Sequence, residues 1–215
     1  MCKFTTFLLI FIILSLYLSA QNPDIWILEQ VNDEHPKMLR KYSLMVTNTA
    51  TTITLSTPFV IGMIGIIDKN SQLEKDALYV GATLGVEGIL TLGLKQAVHR
   101  ERPYVTYPNV VFPYQILPSY SFPSGHTSMA FANATALSLK YPKWYVIIPS
   151  YFWACSVGYS RLNLGEHYPS DVLAGAIVGA GSAFLSLKLT NWLFNSCENK
   201  KQCKTLNIFN TYLSF

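Results

Sequence analysis

The chain has 215 residues, half of them hydrophobic and 13% charged, with a formal net charge of +4. That charged share is about half of what a soluble domain carries, and with a mean hydropathy of +0.26 it points to one membrane-embedded domain. So small a positive balance, with no basic patch interleaved with aromatics, gives no ground for a nucleic-acid partner.

Residues 1–20 read as a signal peptide: Lys3 is a short basic region, 4–18 are apolar, and Ser19-Ala20 precede Gln21 at a plausible cleavage site. An uncleaved anchor helix is the competing reading, and both deliver the next segment to the far side of a membrane. Residues 21–43 mix Trp26, Ile27, Leu28, Val31, Met38 and Leu39 with charges, as in an amphipathic helix lying on a membrane surface or packed on the domain. The uncharged stretch 43–67 is long enough to span. A charged turn, 68–76, leads to a helix over 77–98 interrupted by Glu87, a carboxylate read as structurally paired inside the bundle, near Lys95.

Lys95, His99 and Arg102 are spaced so that a continuing helix puts them on one face. Residues 104–122 form a connection with prolines and aromatics but no charge. A connection of that length usually serves as a lid or binding loop. Its Tyr104, Tyr107, Phe112, Tyr114, Tyr120 and Phe122 either sit at headgroup level or pack on the domain. Ser124 suits an N-cap, and Gly125 lets the backbone approach an anion closely. Two helices of roughly 15 residues, each rising about 23 Å, then return Ser160 to the side that His126 left. That is short for a full ~30 Å apolar core, so a soluble bundle stays open here. After the loop carrying Arg161 and His167, Pro169 suits the first turn of a helix and places Asp171 beside His167. Gly175, Gly179 and Gly181 of that last helix permit close packing, and residues 196–215 form a polar, basic tail.

The four cysteines, Cys2, Cys155, Cys197 and Cys203, show no metal-ligand pairing with histidines. Cys155 reads as a small core residue. With residue 21 exported, parity puts Cys197 and Cys203 in a reducing compartment, so no disulfide is expected. Parity also puts Lys140–Lys143 and the lysine-rich tail on the cytoplasmic side, as the positive-inside rule expects.

The fold class is therefore an all-α bundle of about five core helices, transmembrane, over residues 44–195. Three stretches carry the chemistry: Lys95-Gln-Ala-Val-His-Arg-Glu-Arg102-Pro103, Pro123-Ser-Gly-His126, and Ser160-Arg-Leu-Asn-Leu-Gly-Glu-His-Tyr-Pro-Ser-Asp171. Their order and spacing resemble the type-2 phosphatidic-acid phosphatase superfamily, each motif without a substitution. The resemblance implies a metal-independent phosphatase with no cofactor. In it Lys95, Arg102 and Arg161 hold the phosphate oxygens, helped by Ser124 and the Gly125 amide. His167 attacks phosphorus, Asp171 orients His167, and His126 protonates the leaving oxygen. A neutral His167 and a protonated His126 need different surroundings, and the cations against Asp171 are a means of supplying them.

The substrate class implied is a lipid phosphate or diphosphate: undecaprenyl diphosphate, a lipid A phosphate, phosphatidylglycerol phosphate or phosphatidic acid. The setting implied is a bacterial inner membrane with the site facing the periplasm, and no obligate protein partner. A secreted soluble acid phosphatase of the same superfamily is the alternative. The vanadium haloperoxidases share the motifs but are usually much larger. A non-catalytic phospholipid binder is disfavoured, because binding alone needs the cations and not His126, His167 and Asp171.

Overall fold

The computed structural model describes residues 21–32 and 37–212, with side chains described over 23–32 and 37–193. The expected signal peptide, Cys2 and the side chains of Cys197 and Cys203 lie outside the described residues. The elements are α1 (Gln21–Val31), α2 (Lys37–Ile67), α3 (Ser71–Val98), α4 (Pro103–Thr106), α5 (Gly125–Lys140), α6 (Trp144–Asn163) and α7 (Pro169–Tyr212). Among the described residues there is no strand.

Helix boundaries follow local chemistry. Asn70 caps α3, its Oδ1 accepting from the amides of Gln72 at 3.0 Å and Leu73 at 3.4 Å. The cap starts α3 at Ser71, inside the stretch read as turn. At the other end His99 adopts a left-handed conformation (φ 51°) and its amide bonds to the Lys95 carbonyl. The helix therefore stops before Arg102, so Lys95, His99 and Arg102 do not share a helix face as expected. Pro103 opens the short α4, where its missing N–H costs nothing. No glycine or proline follows Gly181, and α7 continues to Tyr212 through the stretch read as tail.

The bundle is small inside and large outside. α5 is buried nearly all round by Ala130, Ala132, Ala134 and Ala136 together with Thr127, Ser128, Asn133 and Thr135, which makes it the central helix. Phe59, Met63 and Ile66 of α2, Ile89 and Leu92 of α3, Ile148 and Phe152 of α6, and Phe184 and Trp192 of α7 face outward. Lipid tails reward such a distribution, because close backbone packing rather than apolar burial drives association there. Among the described residues, three stretches are long and apolar enough to cross a membrane: Lys37–Ile67, Ser71–Thr106 and Pro169–Leu193. Cys155 lies on the exposed face of α6, not in the core as expected, because α6 turns Ala154, Val157 and Gly158 inward.

Two glycines set the contact between α5 and α7. A Cβ on Gly175 would stand 2.6 Å from the Ser124 carbonyl oxygen, and one on Gly179 would run into that of Ser128. Gly181 has open space around it and plays no such part. Glu87 is buried and accepts from Thr91 Oγ1 at 2.7 Å, and Thr91 also bonds to Ser128 Oγ at 3.2 Å. Its partners are hydroxyls of the bundle interior and not Lys95.

α1 is packed on the domain. Its Asp24, Leu28 and Asn32 lie four residues apart on one buried face, while Trp26 and Ile27 stay exposed. Leu28 joins Tyr104, Val111 and Tyr168 in one apolar cluster. Asn32 accepts from the Phe112 amide at 2.9 Å and donates to the Asn163 carbonyl at 3.0 Å. Gly165 closes this clasp. Its φ of +66° suits glycine, and a Cβ would stand 2.8 Å from Asn32 Nδ2.

Candidate active site

One end of the bundle gathers the N-terminus of α5, the C-termini of α3 and α6, and the loop before α7. The contact that joins two of the motifs is main chain to main chain: the Ser124 amide donates to the Asp171 carbonyl at 3.1 Å. Gly175 and Gly179 make that approach possible. Ser124 stands at the N-cap position of α5, but its hydroxyl makes no cap bond and meets Thr127 Oγ1 at 2.9 Å. The expected capping role therefore falls away, and the hydroxyl lies fully buried.

His167 is fixed through both ring nitrogens. Arg102 Nη1 lies 3.4 Å from Nε2. Arginine carries only donors, so Nε2 is the unprotonated nitrogen and Nδ1 carries the hydrogen. Nδ1 faces Asp171 Oδ2 at 3.5 Å and Ser121 Oγ at 3.4 Å. The same Oδ2 accepts from Ser121 Oγ at 2.5 Å and from the Tyr168 amide at 3.1 Å. Burial is the main reason why the His167 pKa is held down to about 3, with Arg161 and Arg102 adding to it and Asp171 opposing. The ring is neutral over the physiological range and presents a lone pair on Nε2.

His126, half-buried in the first turn of α5, is held down to about 4, chiefly by burial and then by Arg161, Arg102 and Lys95 around it. All three cations thus lie close enough to His126 to act on its charge. The expected contrast between a neutral and a protonated histidine is absent from the unliganded site, because burial, with the cations adding to it, holds both rings down.

The cations are differently engaged. Lys95 Nζ donates to the Tyr120 carbonyl at 2.5 Å. Arg102 holds Ser119 by its carbonyl at 2.8 Å and its hydroxyl at 2.9 Å, and donates to the Glu166 carbonyl at 2.9 Å. Both thus brace the 119–121 loop against the site. Arg161 pairs with Glu166 and donates to Thr47 Oγ1 at 3.3 Å, while its buried Nε has no partner. Gly125 has only Thr91 Cγ2 near a would-be Cβ, at 3.7 Å, so no protein contact demands glycine there. An approaching anion would be a reason for it.

Sequence reasoning missed four side chains. Arg100 and Glu166 sit inside the gaps of two motifs, and Ser121 stands just before a third, where only their polarity offered a signal. Asp24 carries no signal at all. His99, left open by the sequence, stacks edge-on against Tyr120 with centroids 4.5 Å apart. Of the loop aromatics, Tyr104 turns inward and bonds to the Leu117 amide at 2.9 Å, while Phe112, Tyr114 and Tyr120 are exposed.

Fold and site together define a helical membrane protein with a two-histidine centre ringed by cations. The chain belongs to the PAP2 superfamily, whose family model matches residues 76–195. It is 33% identical over 115 residues to an undecaprenyl-diphosphatase of Sulfolobus acidocaldarius, covering 51% of this chain and 55% of that protein. It is 34% identical over 131 residues to a lipid A 1-phosphatase of Rhizobium johnstonii, covering 55% and 52%. The chain thus spans about half the length of these curated relatives. The crystal structure of a transmembrane PAP2-type phosphatidylglycerolphosphate phosphatase from Bacillus subtilis superposes with a TM-score of 0.71 at 26% identity, over 87% of this chain and 95% of that one.

Proposed function

We propose that this protein hydrolyses a lipid phosphate or diphosphate without a metal, through a phosphohistidine on His167. The observation that carries the reading is the orientation of His167: an arginine at Nε2 and an aspartate at Nδ1 leave the lone pair facing the cations. The relatives' names, an undecaprenyl-diphosphatase and a lipid A 1-phosphatase, support a lipid-borne substrate. Undecaprenyl diphosphate, lipid A phosphates, phosphatidylglycerol phosphate and phosphatidic acid are the candidates. The parity of the spans, with residue 21 exported, and the lysine distribution support a site facing the periplasm of a bacterial inner membrane.

The phosphate oxygens sit among Lys95, Arg102 and Arg161, with Ser124 and the Gly125 amide donating further bonds. Such preorganised charge is the main source of rate in phosphoryl transfer. His167 Nε2 forms a bond to phosphorus as the bond to the leaving oxygen breaks, and His126 delivers a proton to that oxygen. The phosphate's own negative charge offsets the cations and restores the proton to His126. Water then attacks phosphorus, His126 takes up its proton, and phosphate leaves His167. The lipid departs as the alcohol, or as the monophosphate when a diphosphate is cleaved.

A phosphate-release panel across the four lipids with detergent-solubilised protein tests the substrate class. The roles are tested by leaving group. A general acid contributes about 10²–10⁴-fold, and mostly for a poor leaving group such as a lipid alcohol. His126→Ala should cripple lipid phosphate hydrolysis yet keep appreciable activity on an aryl phosphate. His167→Ala should lose both, and residual turnover of either substrate by that variant would sink the nucleophile assignment.

A further inference from the structure

The carboxylate that orients His167 is itself held from outside the motifs. Asp171 Oδ2 is shared by Ser121, the Tyr168 amide and His167. Oδ1 has a different partner, the Arg100 guanidinium, at 2.7 Å. Arg100 therefore fixes the rotation of the carboxylate about its own axis, which the three bonds to one oxygen leave open. Its guanidinium is in turn held on three sides. Nη1 also donates to Ser170 Oγ at 2.7 Å, Nη2 donates to Asp24 Oδ2 at 2.8 Å, and the plane lies 3.9 Å over the Tyr168 ring. Asp24 accepts besides from the Ser170 amide at 3.0 Å. Its helix is seated by Leu28 and Asn32. Asp24 lies well before the matched residues 76–195, so this support comes from outside the family domain.

We propose that Arg100 and Asp24 are positioning residues, and that the chain Asp24–Arg100–Asp171–His167 lets α1 set the ring orientation of the nucleophile. A guanidinium between two carboxylates is a rigid two-sided clamp. Asp171 is fully buried, where each charge-assisted bond acts at its strongest. The proposal rests on the reading of His167 as nucleophile.

Arg100→Gln and Asp24→Asn test it, each measured alone and in the Asp171→Asn background. Partners that orient metal-ligating histidines are worth about 10–100-fold, and by the same reasoning Arg100→Gln should lower kcat within that range with little change in KM. Asp24→Asn should lower kcat by roughly threefold or more, as coupled neighbours do. Arg100→Lys should recover part of the loss. In the Asp171→Asn background both substitutions should cost less than about twofold, because their route to the ring is already cut. Equal losses in both backgrounds, or a change confined to KM, would overturn the proposal. If Arg100→Gln does not fold, Asp24→Asn, which keeps the side-chain size, carries the test alone.

A second readout does not depend on turnover. The chain has four histidines, and the His167 ring is assigned in ¹⁵N-labelled protein by its loss in His167→Ala. In the wild type its shifts should report one tautomer, protonated at Nδ1. Asp24→Asn should shift it toward a mixture, and an unchanged ring would overturn the proposal. A wild type that releases phosphate from no lipid would instead sink the functional reading, and the ring signals would still decide this one.

Discussion

Gly175→Ala adds one methyl group and should nearly silence the enzyme. The new Cβ would stand 2.6 Å from the Ser124 carbonyl oxygen, where ordinary contact begins at 3.4 Å. The neighbour is backbone and has no rotamer to yield, so α7 must back away from α5 by about 0.8 Å. Asp171 lies in the first turn of α7, just after His167, and α5 begins with Gly125 and His126, so the retreat opens the gap between the two histidines. A misplacement of about 1 Å costs on the order of 10²-fold in rate, and kcat for lipid phosphate should fall toward that factor. Overpacking of this kind also costs about 1–3 kcal/mol in stability, visible as a lower Tm in detergent. Gly181→Ala is the internal control. It lies on the same helix, its Cβ meets nothing within 4 Å, and helix propensity favours the change by up to about 1 kcal/mol. Phosphate release is measured for both variants alongside thermal unfolding. If Gly175→Ala kept activity within about twofold of wild type at an unchanged Tm, the main-chain contact would not be setting the site.

Gly165→Ala should lower Tm through the left-handed penalty of about 1–2 kcal/mol and the crowding against Asn32, as read by thermal unfolding in detergent. By ¹⁵N titration of the unliganded protein, His126 and His167 should take up protons near pH 4 and pH 3. Both lie below the ordinary 6.5 because burial and the cations penalise the charged ring. Saturating vanadate should move His126 upward, and a midpoint at or above 6.5 in the free protein would contradict the picture. Vanadate, as a phosphate mimic among three cations, should inhibit, while EDTA should leave phosphate release unchanged. A loss in EDTA restored by Mg²⁺ or Zn²⁺ would refute the metal-free route.

Much of the site was legible because its chemistry is written in short stretches with fixed spacing. Lys95, Arg102, His126, Arg161, His167 and Asp171 needed no structure to be singled out, and the helical hairpin between His126 and Ser160 explained how two motifs meet. What the sequence hid depends on contacts distant along the chain. Asp24 meets Ser170 and Arg100 across more than seventy residues, and nothing in its own neighbourhood marks it. His99 was misplaced because helix spacing assumes that the helix continues, whereas its left-handed turn ends α3. Cys155 was misplaced because an apolar run does not say which of its faces meets lipid and which meets protein. Ser124 was assigned a capping bond on residue type, and Thr127 on the same turn took the hydroxyl instead.

The backbone bond between the Ser124 amide and the Asp171 carbonyl has a consequence for how such an enzyme changes over time. The spacing of its two halves is written in atoms that every residue possesses, so substitutions on the surrounding side chains leave it intact. The exposed part of the 104–122 connection is then free to drift toward new headgroups while the reacting geometry is inherited unchanged. Diversification of substrate should therefore be concentrated there. The glycines beneath, which let the two helices touch, should be the positions that tolerate the least experiment.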